Sequence, residues 1–190
     1  MSSSTAPISS PSYATTNPRV FVTKHDAAGN AVFADEEGEG EGEGEEVPLF
    51  RPMGPAGSSF AVFDTRGAVP VDNAEGARAV PDAIPRCPPG GVNFCVSNIA
   101  PRFAVPMHRT LSLDYAVVLS GEIALRLEGG AERVVRAGEF VVQGGVAHAW
   151  VNRADEPCRI AFVTVGARKV ARPDGSELDE IAPAVRQPAA

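Results

Sequence analysis

The sequence predicts an all-β fold: a closed or two-sheet antiparallel barrel of short strands, with a β arm ahead of it. Three observations carry this. From Val92 onward, short apolar runs recur with turn signals between them. Glycine (19) and proline (17) are abundant, which favours many turns over long helices. No run in that half spaces its apolar residues as a helix face would.

The elements follow in chain order. Residues 1–18 are Ser, Thr, Pro and Ala, the composition of a disordered tail. Residues 19–91 form an N-terminal arm and its connections, with one strand-like run at Ser58–Thr65. Within them, residues 19–34 read as a hairpin, with Val20 and Val22 alternating before an Ala-Ala-Gly-Asn turn and a second strand, Ala31–Phe33. Residues 35–46 hold eight acids interleaved with Gly and no base, a flexible solvated loop. The barrel is expected over 92–170. Its strands are the runs within 92–100, 113–121, 122–130, 132–139, 140–145, 148–156 and 159–166, punctuated by Gly, Asn-Arg and Asp-Glu. Residues 171–190 form a C-terminal tail, with one short helical turn expected at Ser176–Ala182.

A chain of 190 residues suits one domain with a real core. Its net charge of −7 belongs almost wholly to the acidic loop, and without that loop 16 acids face 17 bases. No basic stripe exists to displace counterions from a phosphate backbone, so nucleic acid is not an expected partner. Cys87, Cys95 and Cys158 lack the spacing of a zinc site and are odd in number, as buried free thiols would be. The N-terminus lacks the basic and apolar regions of a secretory signal, and no run reaches the ~18 apolar residues of a membrane span. The expectation is a cytoplasmic protein with no membrane partner. The apolar arm needs a surface to lie on, because a lone hairpin is marginal in water; a homodimer is expected, with the arm adding to the partner's sheet edge or to its own.

The candidate site begins with the histidines, of which the chain has three. His108 and His148 both adjoin strands of the barrel half. Asp114 sits inside an apolar strand, where alternation groups it with Ala116 and Val118. A carboxylate on such a face is costly unless paired, protonated or metal-bound. The plainer alternative is surface histidines and an Asp paired with Arg102, Arg109 or Arg126. Trp150 shares the strand face of His148, while Tyr115 points away from Asp114.

These residues fall on a known pattern. Cupins carry two motifs on consecutive hairpins of a jelly-roll barrel, the double-stranded β-helix. His108, Thr110, Asp114 and Gly121 follow the first, with Thr110 at the second His, Asp114 at the Glu, and Arg102 where a Gly would stand. Gly138, Gln143, Gly145, His148 and Asn152 follow the second, with Gln143 in place of Pro. Over about residues 92–166 the chain resembles cupins. It is more narrowly similar to the small single-domain cupins of fungal secondary-metabolite clusters, of the oryzine and virensol pathway type. The likeness lies in His108–Tyr115, in Val141–Gln143 and His148–Trp150, and in the arm over 19–33. The departures are Ala116 for Gly, Glu139 for Asp, and Gly144 and Val151 for two arginines.

The resemblance implies a site of His108, Asp114 and His148, as catalytic residues and as ligands of a divalent transition metal such as Fe, Mn, Zn or Ni. Two imidazoles and a carboxylate with open positions suit such an ion. Without metal the same residues permit acid and base work in an apolar cavity. The implied function is a lyase-type tailoring enzyme of a polyketide-like pathway, decarboxylating or dehydrating a β-keto or hydroxy acid. The alternatives are an Fe(II)-dependent oxygenase and a non-catalytic small-molecule binder.

Overall fold

The computed structural model describes residues 17–34, 45–46, 50–53, 57–73 and 86–183. Among these residues every regular element is a strand, as the sequence predicted. In chain order they are β1 (Arg19–Val20), β2 (Thr23–His25), β3 (Ala31–Phe33), β4 (Glu45–Glu46), β5 (Arg51–Pro52), β6 (Ser59–Arg66) and β7 (Val92–Ile99). Then come β8 (Ala104–His108), β9 (Ser112–Ser120), β10 (Glu122–Leu127), β11 (Glu132–Arg136), β12 (Phe140–Gly144), β13 (His148–Val151) and β14 (Cys158–Gly166).

Two sheets face each other, a four-stranded one ordered β11-β10-β13-β8 and a six-stranded one ordered β12-β9-β14-β7-β6-β5. The pairings are antiparallel throughout. Alternation decides what lies between the sheets. In β9, Ser112, Asp114, Ala116, Val118 and Ser120 are buried, while Tyr115 and Leu119 between them are exposed. The core joins Ala116, Val118 and Ile160 of the large sheet to Val105, Ile123, Val135 and Trp150 of the small one. Gly121, in the tight turn from β9 to β10, has φ +75°, and a Cβ there would stand 2.9 Å from the Pro157 carbonyl oxygen. Only glycine meets both demands.

The predicted barrel strands are all present; in the arm the hairpin's first strand is Thr23–His25 rather than the run of Val20 and Val22, because Val20 pairs with Glu45 instead. The segment before His108 is itself a strand, β8, at the edge of the small sheet. β6 pairs along β7 from Ser59↔Asn98 to Arg66↔Val92, so the sheet begins well before residue 92. The expected helical turn at 176–182 is not helical: Ile181 forms a β-bridge with Arg109, trading backbone hydrogen bonds of 3.0 Å in both directions. The arm hairpin is β2 paired with β3. At the end of the acidic stretch, Glu45 and Glu46 pair with Val20 and Arg19. Residues 1–16 and 35–44 lie outside the described residues, and so do the expectations made for them.

Much of the outward side of the large sheet is apolar, with Arg159 and Asn98 as polar exceptions. Val20 of the arm, with Phe50 and Phe63, packs there on Ala61 and Val96. Further along the same face Phe140, Val142 and Tyr115 are 79%, 70% and 48% exposed.

Candidate functional site

A cavity of about 640 Å³ opens between the sheets. Val62, Val105, Trp150 and Phe162 give it apolar walls, and His108, Asp114 and His148 all line it. The topology explains the convergence. β13 and β8 are neighbours in the small sheet, and His148 lies directly opposite His108 in their register. Their rings stand 4.2 Å apart between centroids. Asp114 faces them from β9 of the large sheet.

Each histidine is oriented the same way. His108 Nδ1 lies 2.8 Å from the Pro106 carbonyl, and His148 Nδ1 lies 3.0 Å from the Val146 carbonyl. A carbonyl only accepts, so Nδ1 carries the proton in both rings and Nε2 is left with a lone pair. His148 is 2% exposed. Its burial first, and the neighbouring His108 imidazole second, pull its pKa down to about 4, so it is neutral over the physiological range.

Asp114 is 6% exposed and is paired with none of the three arginines that could have neutralised it. Arg102, Arg109 and Arg126 go instead to Asp155, Glu128 and Glu132. Burial raises the Asp114 pKa, while hydrogen bonds from Ser112 and Gln143, the nearby His108 and a hydrogen bond from Thr110 oppose the rise. Ser112 Oγ donates to Asp114 Oδ1 at 2.6 Å. Thr110, where the motif would have a second histidine, is thus a partner of the carboxyl rather than a second imidazole.

Gln143 is the residue whose role the sequence did not reveal. It lies directly opposite Asp114 in the β12–β9 register and is 4% exposed. Its Nε2 donates to Asp114 Oδ2 at 3.1 Å and stands 3.1 Å from His148 Nε2. One amide nitrogen therefore serves both groups, while its Oε1 is buried without a partner. Thr164 Oγ1, from a residue of the cavity wall, is likewise buried and unpartnered. Cys87 and Cys95 also line the cavity, and burial raises both thiols, Cys95 to about 12. They are neutral wall groups rather than thiolate nucleophiles. Arg86 and Glu180 line the cavity too and form an ion pair with each other.

The cupin fold often binds a metal, and the three expected ligands must be tested against that. The two imidazoles are set as ligands require, each with Nε2 unprotonated. The carboxylate is not. The Gln143 N–H group stands between Asp114 and His148 and points its protons at both, where a cation would need lone pairs. Among the described residues no three of His, Cys, Asp and Glu are grouped closely enough to hold an ion. His108, Asp114 and His148 thus share one cavity but do not form one donor set.

Among the described residues no helix is long and apolar enough to cross a membrane. The cupin domain profile Cupin_2 matches residues 95–165. The phomopsin biosynthesis cluster protein C' of Diaporthe leptostromiformis is 32% identical over 158 residues, covering 80% of this chain and 80% of that one. The oryzines biosynthesis cluster protein J of Aspergillus oryzae is 33% identical over 93 residues, 48% of this chain and 51% of that one. The cupin-domain-containing oxidoreductase virC of Hypocrea virens is 46% identical over 55 residues, 29% of this chain and 28% of that one. With its paired motifs, its two facing sheets and these relatives, the chain belongs to the cupin family, in the group of small single-domain cupins that includes these fungal proteins.

Proposed function

We propose that this cupin is a small-molecule tailoring enzyme of secondary metabolism, and that it works as a lyase on a β-hydroxy or β-keto acid. The observation that carries the reading is the meeting of opposite tendencies in one apolar cavity. Burial favours the protonated form of Asp114 and the neutral form of His148, beside a second imidazole with a lone pair. Titratable groups pushed apart in this way are suited to act as acid and base.

His108 is the proton acceptor in this reading, because its Nε2 has no hydrogen-bond partner among the described residues while that of His148 contacts Gln143. In a dehydration, His108 Nε2 takes the proton from the carbon next to the carbonyl. The C–H electron pair becomes the new C=C bond, and the hydroxyl leaves with a proton from Asp114 as water. In a decarboxylation, the C–C pair passes to the β-carbonyl, carbon dioxide leaves, and the enol oxygen takes its proton from Asp114. The names of the relatives support a place in a biosynthetic cluster.

The test is incubation of the purified protein with β-hydroxy and β-keto acids, in air and under nitrogen, followed by mass spectrometry. Loss of water in both atmospheres, reduced about 10²–10⁴-fold in His108→Gln, or loss of carbon dioxide, reduced similarly in Asp114→Asn, is the expected result. Conversion that requires oxygen would replace this reading with the redox chemistry that the name of the Hypocrea virens relative carries. No conversion of any acid, with tight binding retained, would make the cavity a receptor.

A further inference from the structure

We propose that Arg86 is the carboxylate-recognising residue of this cavity, and that the substrate keeps its carboxylate at the cavity rim while bonds break at the histidine end. The proposal rests on the cavity being the reaction site and narrows what enters it. Of the residues lining the cavity, Arg86 is the one Lys or Arg among those described. The lining carboxyl groups are Asp114, which is buried, and Glu180, already paired with Arg86. An anionic ligand therefore has one place to find a countercharge.

Glu180 is held still, as a built-in occupant of that place would be. On one side, Ile181 is bridged to Arg109, which is 7% exposed. On the other, the Asp179 carbonyl accepts from Arg109 Nη1 at 3.2 Å, and its carboxylate accepts from Lys169 Nζ at 2.6 Å. Arg86 is the freer partner, with a side chain 68% exposed. An ion pair this open to water contributes little, so a second carboxylate can take Arg86 from Glu180 at little cost. The guanidinium fork receives a carboxylate through two parallel N–H bonds.

The route from the rim to the reacting end is short in chain terms. Arg86 precedes Cys87, whose thiol donates to the Thr164 carbonyl at 3.3 Å, and Thr164 lies opposite Asp114 across β14 and β9. A ligand whose carboxylate sits on Arg86 thus keeps its remaining carbons in the cavity that His108, Asp114 and His148 line. A guanidinium stabilises the carboxylate it holds, which opposes loss of that group as carbon dioxide. Dehydration, with the carboxylate retained, is the branch this placement favours.

The chain has one tryptophan, Trp150, and it lines the cavity, so its fluorescence reports occupancy directly. The probes are β-hydroxyoctanoate and its methyl ester, which differ in charge and little in shape. The acid is expected to bind about 10-fold or more tighter than the ester, the scale of a charge-assisted hydrogen-bonded pair. Arg86→Ala removes the preference, Arg86→Lys keeps part of it, and Glu180→Gln tightens the acid but not the ester. Equal binding of acid and ester, a preference that survives Arg86→Ala, or no response to the acid at millimolar concentration each overturns the proposal. Arg86-dependent binding without conversion would instead defeat the lyase reading and leave this one standing.

Discussion

His148 stands directly opposite His108 across β13 and β8, and each ring gives its Nδ1 proton to the carbonyl two residues before it in the chain. The pair is built twice by the same local device, a strand residue turned back on its own approach. The two rings, 4.2 Å apart between centroids, turn both Nε2 atoms away from those carbonyls. What separates this pair from a metal centre is the amide of Gln143.

That gives a substitution test. Gln143→Glu replaces the N–H group between Asp114 and His148 with carboxylate oxygens and completes a set of four donors. Zn²⁺ affinity measured by calorimetry is expected to rise at least about 10-fold in the variant, since ligand type and number govern such sites. In the unaltered protein, chelator treatment is expected to leave turnover unchanged. Stoichiometric metal in the purified protein, with turnover lost to the chelator, would show that Gln143 yields to an ion.

The lowered pKa of His148 fixes a pH dependence of stability. As pH falls, an unfolded chain protonates this histidine near about 6.5, whereas the folded chain does so only near about 4. The folded state therefore loses stability between those values, by about 3 kcal/mol in full. Asp114 acts in the opposite sense. Its raised pKa gives stability that is present at low pH and lost as pH rises through the folded value. Urea melts at pH 7 and 4.5 should show a smaller acid loss in His148→Asn than in the parent. Equal losses would mean that His148 is open to solvent.

Arg102 keeps the backbone that the motif glycine would have. It stands where the motif has Gly, and its φ is +56°, in the left-handed region. That conformation costs a side-chain-bearing residue about 1–2 kcal/mol. Glycine's greater freedom when unfolded and the exposed Arg102–Asp155 pair offset part of the gain. Arg102→Gly is expected to raise stability by about 0.5–1 kcal/mol, read as a higher midpoint in a denaturant melt. A lower midpoint would show that the ion pair outweighs the backbone.

The bare half of the large sheet makes a prediction about assembly. The outward positions of β12 and β9, and of β14 from Ala161 to Val165, carry no charged side chain, and Phe140 and Val142 stand most exposed. A two-fold contact brings the same patch from both copies together, which an uncharged face permits without repulsion. Light scattering is expected to give a dimer at micromolar concentration, and a monomer for Phe140→Asp with Val142→Asp. A monomeric parent protein ends this expectation.

Much of this was legible in the sequence, and the reasons are local. Alternation in Ser112–Ser120 put Asp114 on the inner face, and motif spacing brought His108 and His148 to it. β8 was missed because Pro106 interrupts its apolar run, a residue tolerated there because β8 is an edge strand. The role of Gln143 depends on register: only the pairing of β12 with β9 sets its amide against Asp114. Arg86 and Glu180 lie 94 residues apart, and no periodicity joins a connection before β7 to a tail after β14.

The order of strands in the large sheet also sets a clock. β14 lies between β9 and β7, both made earlier, and pairs with each along most of its length. Until residue 166 has left the ribosome, β7 and β9 have no strand to join them, and the wall that carries Asp114 and Thr164 does not exist. The nascent chain must hold the apolar strands β6 to β13 unsealed through that interval, and non-local pairing of this kind is slow to form. The barrel therefore closes only once β14 has emerged, and its cavity and all its chemistry date from that closure.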